Sequence, residues 1–552
     1  MLSHKRSQRD AVKGQKKRRT SRRIVGVDMV PLLLHILLVA TLSSDCSAIT
    51  HTGRRFVVAF PENIAFYHPV PPDNRIQITA IKDATITIEM RYYTDITESL
   101  SAGQFKEYSM NIDMELSKTP SFKMAMVKSS DLITVNALSL RSSSLQLALV
   151  LPVHELGTKY MIPQVPHIPG TTDIMSMAVT ERRPFKLVIV SAQERTTVTI
   201  KGLETTVYQL EPEAVGQVLV TQENQGGVLM SDQPVAVLFS HSCAIRDGCS
   251  CGMLQTLLLP AKNDSFPFLV PPALANGTVG ETFILSGATS NTPSPYVPET
   301  PWLDGYDAAV LYRPGFLLSL VPQTDLASCF IINSIQNMEN EMVMVVHKNH
   351  TERVRHGNAA LVDPNWQQLT GTDYMWAAVS AQPNRNVVWH QSSKMILYFL
   401  GHSNTSSFGV PATIISRIPD FRGCVLVPER LLLGDVAHSW AASVQFCRKE
   451  GLDLVSFSKS EEVPHIYSII KKAMNGSEDD VWIGLRRRSQ TGEWYWLNQE
   501  PVAQTNWAQG EPGEMNEGQC TIMSLSSFRW RDEECCQSAR PVCYKRPEFF
   551  PV

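Results

Sequence analysis

Apolar and polar residues alternate along most of residues 54–417. Runs such as RIQITAIKDATITIEM (75–90) and FKLVIVSAQERTTVTI (185–200) are rich in Val, Ile and Thr, and turn-forming residues separate them. This pattern is typical of β-strands with one buried face. Long amphipathic helical patterns are absent from the sequence of this span. We therefore predict an all-β N-terminal region.

The β-rich region contains short sequence segments that recur in the same order. SSDLITVNAL (129–138) matches MSDQPVAVLF (230–239), and LVLPVHELGTKYMIP (149–163) matches LLLPAKNDSFPFLVP (257–271). A fainter third copy lies at MWAAVSAQPNRNVVWHQ (375–391). Any β protein yields isolated pairs of this kind, but the shared order favours internal duplication. We predict a repeated, sandwich-like architecture.

The pattern changes at the end of this region. The stretch ISRIPDFRG (415–423) is polar and contains proline, which predicts a linker. Beyond the linker, Trp440, Val444 and Cys447 fall on one helical face. The linker therefore separates the β-rich region from a part of the chain that begins with a helix.

A second helix is predicted over 458–474. Ser458 and Glu461 have the spacing of a capping box, and Pro464 is expected in the first turn or at the true start. Strand patterns follow at VWIGL (481–485) and in the residues after it. Two helices followed by strands predict an α+β C-terminal domain.

Residues 1–48 differ from the rest of the chain. Ten Lys or Arg precede an apolar run, PLLLHILLVATL (31–42), and small residues follow it. The run fits the core of a signal peptide and is shorter than the ~20 residues of a spanning helix. We predict a signal peptide that ends at residue 48, with Met1 or Met29 as the start. An uncleaved type II signal anchor is the alternative, and only then would the protein be bound to a membrane.

The charge balance argues against nucleic acid as a partner. The chain carries 50 Lys and Arg against 53 Asp and Glu, and ten of the basic residues lie in the leader. The remaining chain is therefore acidic, and such a surface repels phosphates.

Cysteines and sequons indicate an oxidising, secretory environment. One of the eleven cysteines, Cys46, lies in the leader, and an even number remains. The remaining cysteines are Cys243, Cys249, Cys251, Cys329, Cys424, Cys447, Cys520, Cys535, Cys536 and Cys543. The predicted glycosylation sites are Asn263, Asn276, Asn349, Asn404 and Asn475. We predict a secreted, disulfide-bonded glycoprotein.

Three of the cysteines, Cys243, Cys249 and Cys251, are close together in HSCAIRDGCSCG. Thiolates at this spacing could share a zinc ion. Disulfides are the favoured interpretation behind a signal peptide. Cys329 is then the expected distant partner of one of the three.

Ordered landmarks mark the C-terminal part. They comprise the pattern W-x(6)-C-x(3)-G-x-x-L from Trp440 to Leu454, then WIGL, Trp507, GEP, WRD and the later cysteines. Residues 424–546 resemble a C-type lectin-like domain. The resemblance implies disulfides Cys447–Cys543 and Cys520–Cys535, although the Cys535-Cys536 doublet leaves the second assignment open by one position. Cys424 and Cys536 would then bond each other, or one would bridge to another chain.

A second resemblance covers residues 54–417. Its phrases are FVVAFPEN (56–63), SDQPVAVLFSHSC (231–243), LLLPAKN (257–263) and GTDYMWA (371–377). They resemble the N-terminal domain of the IgG Fc-binding protein family, which implies an extracellular interaction module. The von Willebrand-type modules of that family have no counterpart in this sequence, so Fc binding does not carry over.

In sugar-binding C-type lectins, a Glu-Pro-Asn triplet and a later glutamate hold a calcium ion, which in turn binds the sugar. Here Glu511 and Pro512 match, but Gly513 stands at the asparagine position. Gly518 stands at the position of the later glutamate, and Glu517 is one place off. The resemblance therefore implies a degenerate site.

The last calcium motif is also changed. Trp530 and Asp532 match the family, whereas Arg531 replaces an asparagine. Glu511 and Asp532 are the remaining candidate calcium ligands, and the Arg531 guanidinium could pair with either one and mimic the ion. We expect a calcium-free, lectin-like fold. Calcium-dependent sugar binding, and calcium bound without sugar, are the alternatives.

The chain lacks motifs for catalysis. VHELG (153–157) has no second histidine for a zinc protease, and GHSNT (401–405) lacks the second glycine of a nucleophile elbow. The arginines at 486–488 either bind an anionic glycan or form a solvated loop. We predict no enzyme but an extracellular recognition or adhesion protein in mucosal or innate defence. Its partner would be a protein or glycoprotein, with calcium-dependent carbohydrate binding as the alternative.

Overall fold

The computed structural model describes most of the chain after residue 49. The described residues are 50–64, 70–117, 121–142, 144–166, 185–202, 206–220, 226–247, 250–262, 266–275, 281–287, 293–473, 479–514 and 518–552; of these, the side chains of 245–247, 250 and 251 are not described. Residues 49–552 form one compact unit. The predicted leader, residues 1–48, lies outside the described residues.

The first repeat is a sheet whose long strand β6 links its two halves. Its strands are β1 (Gly53–Val58), β2 (Asp73–Ala80), β3 (Ala84–Met90), β4 (Ile96–Leu100), β5 (Phe105–Ser109), β6 (Ala125–Arg141) and β7 (Ser144–Val150). The order is β4-β3-β6-β2-β5, and β1 and β7 also pair with β6. The first half of β6 pairs with β1 and β3, and the second half pairs mainly with β2 and β7. The sheet can therefore fold around one core.

The second repeat has the same topology. Its strands are β8 (Gly157–Ile162), β9 (Phe185–Ser191), β10 (Thr196–Lys201), β11 (Thr206–Leu210), β12 (Val215–Val220), β13 (Gly227–Asp247) and β14 (Ser250–Leu257). The order is β11-β10-β13-β9-β12, and β8 and β14 also pair with β13. Each strand matches the one seven places earlier, which confirms the predicted duplication.

The third part of the β region is a diverged copy. Its strands are β15 (Phe266–Leu269), β16 (Phe283–Ser286), β17 (Ser294–Pro295), β18 (Trp302–Tyr306), β19 (Ala309–Arg313), β20 (Phe316–Ser319), β21 (Cys329–Asn333), β22 (Glu339–His347), β23 (Val354–His356), β24 (Ala359–Ala360), β25 (Gln367–Gln368), β26 (Tyr374–Ser380), β27 (Arg385–His390), β28 (Met395–His402), β29 (Ser407–Pro411) and β30 (Thr413–Ser416). The order β24-β23-β27-β21 repeats the order β4-β3-β6-β2. A second sheet has the order β25-β26-β22-β28-β29, and β17-β16-β19-β20 form a third.

Apolar side chains fill a core within each repeat and a layer between the two repeats. Ile76 and Ile86 belong to the first core, and Leu187 and Val198 belong to the second. The layer between the repeats is formed by Val57, Met126, Leu149, Val188 and Leu238, among others. Strands such as β7 and β9 are therefore buried along their whole length rather than on alternate residues.

The C-terminal domain has two helices packed on a mixed sheet. The helices are α1 (Trp440–Lys449) and α2 (Val463–Ala473). The strands are β31 (Val425–Val427), β32 (Arg430–Leu433), β33 (Asp453–Leu454), β34 (Asp480–Arg487), β35 (Trp494–Trp496), β36 (Cys520–Ser524), β37 (Trp530–Glu533), β38 (Arg540–Lys545) and β39 (Glu548–Phe549). Trp440, Val444 and Cys447 face the core, as predicted for one helical face. The chain is therefore multidomain, with this α+β domain following a mostly β region.

The predicted capping box is wrong. Helix α2 begins at Val463, and Pro464 lies in its first turn. The Ser458 hydroxyl instead bonds the Glu500 carboxylate and accepts a hydrogen bond from Arg546 Nη2 at 2.9 Å. These side-chain partners hold Ser458 outside the helix.

The predicted linker is packed rather than free. Cys424 forms a disulfide with Cys329, and the Arg422 guanidinium pairs with Asp420 at 2.7 Å and Glu429 at 3.0 Å. The expected pairing of Cys329 within the β region is therefore wrong. Cys329 lies opposite Ser416 in the β21–β30 ladder, so it is beside the chain that leads to Cys424.

Candidate functional site

The candidate site is the loop at 510–514 together with strand β37. Trp530 is buried and packs against Trp496 and Phe457, which fixes the start of β37. Trp530 N donates to Asn506 O at 2.9 Å, and Ala508 N donates to Trp530 O at 2.9 Å. The chain that enters the loop is therefore held alongside β37, and this brings Glu511 close to Asp532.

Two carboxylates meet at this point. The Glu511–Pro512 peptide bond is cis. Asp532 N donates to Glu511 Oε2 at 3.2 Å, and Gly513 N donates to Asp532 Oδ1 at 2.7 Å. Burial, and then the neighbouring Asp532 carboxylate, raise the pKa of Glu511. The loop is therefore closed onto the strand by its own hydrogen bonds.

Gly513 and Gly518 stand at the two positions where the lectin resemblance implies side-chain oxygen ligands. Gly513 has no side-chain oxygen. A Cβ on Gly518 would lie 2.6 Å from Glu533 N and 2.9 Å from Asp532 Oδ2. Real Cβ atoms essentially never approach backbone so closely. The position of the family's second glutamate therefore has no room for any side chain unless the backbone moves.

Arg531 does not pair with either candidate ligand. Its Nη2 lies 2.7 Å from Asp480 Oδ2 and 3.7 Å from Glu533 Oε1. Successive residues of a strand point to opposite faces, so Arg531 points away from the face that carries Asp532. The expectation that Arg531 mimics the ion beside Glu511 or Asp532 is therefore wrong.

A different arginine holds the loop. Arg487 Nη1 donates to Gly513 O at 3.1 Å and to Glu514 O at 2.9 Å, and Nε donates to Gly492 O at 3.1 Å. Its guanidinium also lies over the Trp494 ring, 5.5 Å from the centroid. A fixed positive charge of the protein thus gathers the loop carbonyls. In the sequence, Arg487 is the middle one of three consecutive arginines, and nothing there indicates that it holds the loop.

The three consecutive arginines do not form one basic patch. Arg486 stacks over Trp440 at 5.0 Å, and Arg488 is exposed and stacks over Tyr495 at 4.8 Å. Arg487, between them, turns inward to the loop. Strand alternation divides the run between two faces.

The described residues of the loop do not supply a calcium shell. Calcium takes six to eight oxygen ligands. Glu511 and Asp532 are the predicted ligands, and one oxygen of each already accepts a backbone hydrogen bond. Within the described part of the chain, no group of three or more His, Cys, Asp or Glu has a metal-binding arrangement. Glu517 lies outside the described residues.

The other predicted site residues are distributed over the surface and core. The disulfides Cys447–Cys543 and Cys520–Cys535 are present, and these are the pairs that the lectin resemblance implies. Cys536 is an exposed free thiol, and Cys243 is disulfide-bonded. Asn349 and Asn404 are exposed. Residues Asn263, Asn276, Asn475 and Cys249 lie outside the described residues, as does the side chain of Cys251.

Two families match the chain. The Lectin C-type domain family matches residues 436–545, and the IgGFc binding protein family matches residues 146–302. Both resemblances are confirmed over these residues, while the predicted domain boundaries stay predictions. The matched families are lectin and binding families. No described helix is long and apolar enough to cross a bilayer.

Individual proteins match in the same two regions. Human C-type mannose receptor 2 is 29% identical over 110 residues, which are 20% of this chain and 7% of the receptor. Human IgGFc-binding protein is 25% identical over 254 residues, which are 43% of this chain and 4% of that protein. The solved carbohydrate-recognition domain of mouse scavenger receptor C-type lectin is 25% identical, with a TM-score of 0.19, and the match covers 22% of this chain and 92% of that one. The chain therefore spans a small part of the curated relatives' length.

Proposed function

We propose that this chain is an extracellular recognition or adhesion protein whose lectin-like domain binds protein or glycoprotein ligands without calcium. The observation that carries the proposal is the Arg487 guanidinium, which bonds the carbonyls of Gly513 and Glu514. A covalently attached cation is present at all calcium concentrations. Chelation should therefore leave the shape of the loop unchanged.

The two glycines support the same conclusion. A sugar bound through calcium needs vacant positions on an ion that the protein already coordinates. Gly513 and Gly518 lack the side-chain oxygens, and the backbone around Gly518 leaves no space to restore one. The ligand of this loop is then recognised by shape and hydrogen bonds, as in ordinary protein interfaces.

The attachment of the domain supports a role in presentation. The disulfide Cys329–Cys424 joins it to the β region, and Phe550 near the C-terminus is buried beside that disulfide. Lys82 of the first repeat pairs with Glu548 of β39 at 2.9 Å. A domain held at three points displays its loop in a fixed direction, which lowers the entropic cost of binding a large partner.

The proposed setting is extracellular, in mucosal or innate defence. Disulfides persist in oxidising compartments. The names of the matched proteins, a mannose receptor and an IgGFc-binding protein, suggest glycoprotein ligands of this kind. The setting depends on these similarities and not on the geometry of the loop.

Calcium-dependent carbohydrate binding is the second candidate. Asp532 Oδ2 is buried without a hydrogen-bond partner among the described residues, and it lies next to Glu511. An unpaired carboxylate oxygen at this point is what a cation would use.

A glycan array probed with the full chain distinguishes the two candidates. The array is read in millimolar calcium and again in excess EDTA. We expect every signal to survive EDTA, and the variant Arg488→Ala to behave like the wild-type chain. Signals that disappear in EDTA and return with calcium would establish the second candidate and refute the first.

A further inference from the structure

A polar cleft in the third part of the β region lies outside the lectin-like domain. It lies between the β19–β20 turn and the β28–β29 turn and has a volume of about 510 Å³. This is within the range of small-molecule sites. Most of its walls are polar: hydroxyl groups, the carboxylates of Glu339 and Glu341, and Arg313. All of the lining residues belong to the described part of the chain.

Arg313 is a buried cation without an anionic partner among the described residues. Only 6% of the residue is exposed, its Nε donates to Leu274 O at 3.1 Å, and its guanidinium lies 4.2 Å from the centroid of the Phe316 ring. Nη2 is enclosed and has no hydrogen-bond partner, and no carboxylate of a described residue lies within 4.0 Å of the guanidinium. Burial lowers the pKa of Arg313 to about 10. A buried charge of this kind is costly unless an anion pairs with it.

The cleft is built before any ligand arrives. In the β28–β29 turn, Ser403 N donates to Ser406 O at 2.8 Å, and Ser406 N donates to Ser403 Oγ at 3.0 Å. Ser407 Oγ donates to Gly315 O at 3.1 Å, which ties this turn to the β19–β20 turn. A rigid wall keeps its hydroxyls and Arg313 in place, so little ordering entropy is lost on binding.

The two carboxylates add a second requirement. Glu339 and Glu341 line the cleft, yet neither forms an ion pair with Arg313. Ionised carboxylates accept hydrogen bonds and donate none, so they suit ligand hydroxyls. His402 also lines the cleft, and its pKa is lowered by burial and then by Arg313, which favours the neutral ring. A ligand for this cleft needs one anionic group and several hydroxyls.

We propose that the cleft binds an acidic sugar, with its carboxylate on Arg313 and its hydroxyls on Glu339, Glu341 and the serine-rich turn. A charged guanidinium N–H donates a short, strong hydrogen bond to a carboxylate. The sugar has two sources. It is either the end of a glycan on another protein or part of the chain's own glycan, because Asn404 lies in the wall of the cleft and begins a sequon.

Calorimetry on the full chain tests the proposal. The probes are N-acetylneuraminic acid and glucuronic acid, with methyl galactoside as the neutral control. We expect both acids to bind and the neutral sugar to give no heat. Arg313→Gln should weaken binding about tenfold or more, because a hydrogen-bonded charge pair is lost. Arg91→Gln, in the first repeat, is the matched control and should bind as the wild-type chain does.

Two further variants keep the test decisive. Thr405→Trp fills the exposed rim of the cleft and keeps the sequon at Asn404 intact. It should abolish binding, and it tests the proposal independently if Arg313→Gln fails to fold. Asn404→Gln removes the glycan; acid binding that appears only in this variant identifies the chain's own glycan as the occupant. Equal affinity for neutral and acidic sugars would overturn the proposal. So would affinity unchanged in Arg313→Gln or Thr405→Trp, or an absence of heat with Asn404→Gln.

Discussion

Two arginines, Arg487 in the lectin-like domain and Arg313 in the β region, both donate to backbone carbonyls, but their surroundings differ. Arg487 bonds three carbonyl oxygens, two of them in the loop that it closes. Arg313 has one such bond and an enclosed Nη2 without a partner among the described residues. A cation whose hydrogen bonds are made within the protein can replace a bound metal ion. A buried cation without an anionic partner instead favours the binding of an anionic ligand. Under the proposed function, the region that resembles a lectin is the one that does not need an ion, and the β region is the one that takes an acidic ligand.

We expect the Cys329–Cys424 disulfide to hold both regions in one rigid frame, and its removal should have the largest effect. Replacing both cysteines by serine should cost about 3 kcal/mol of unfolding free energy, because the cross-link closes a long loop. Thermal unfolding and limited proteolysis at 415–423 would measure the loss. Cys536→Ser, at an exposed free thiol, is the control and should change neither. A double variant as stable and as protease-resistant as the wild-type chain would contradict the rigid frame.

The next largest effect concerns Arg487. Arg487→Ala removes hydrogen bonds from a charged donor and should cost about 1.5 kcal/mol, the low end for such bonds because the site is partly exposed. Hydrogen exchange at residues 513 and 514 should accelerate in the same variant. Arg488→Ala is the matched control, and a surface change of this kind should stay within about 0.5 kcal/mol. Equal effects for the two variants would remove the distinction between Arg487 and its neighbour.

Arg531 should contribute less to stability than Arg487. Its ion pair with Asp480 is more than one third exposed on both sides. Arg531→Ala should therefore cost less than about 1 kcal/mol, as measured by chemical denaturation, and should leave exchange at 513 unchanged. A larger loss than that of Arg487→Ala would mean that Arg531, not Arg487, replaces the ion.

The smallest predicted effect depends on pH. The pKa of Glu511 is raised in the folded protein above its usual value of 4.5. A raised carboxyl pKa gives stability that is fully present below the unfolded pKa and is lost as pH rises through the folded pKa. Glu511→Gln should therefore stabilise the chain slightly at pH 7 relative to wild type, and this gain should vanish near pH 4. Denaturation midpoints at the two pH values measure it; a gain that grows as pH falls would contradict the shift.

Much of the fold could be predicted from local patterns. The helical face of Trp440, Val444 and Cys447 and the strand-like runs of the repeats depend on periodicity, which reports burial directly. The Cys329–Cys424 pair could not be predicted in this way. It depends on the β21–β30 pairing across a sequence separation of 95 residues, and nothing local encodes that pairing.

The candidate site was predictable in composition but not in geometry. The absence of side-chain oxygens at 513 and 518 follows directly from the sequence, because both residues are glycines. The roles of Arg487 and Arg531 could not be predicted from the sequence. Which face of the sheet a side chain occupies depends on its position along the strand, so identical arginines can have different partners. Nothing in the sequence singled out Arg313, because the lack of a nearby carboxylate among the described residues is evident only in the folded structure.

A calorimetric titration of the full chain with calcium chloride decides whether the lectin-like domain takes calcium. We expect no saturable heat below millimolar calcium, in the range where extracellular calcium modules bind, and no heat that depends on Glu511 or Asp532. A sub-millimolar site that disappears in the double variant Glu511→Gln with Asp532→Asn would contradict it.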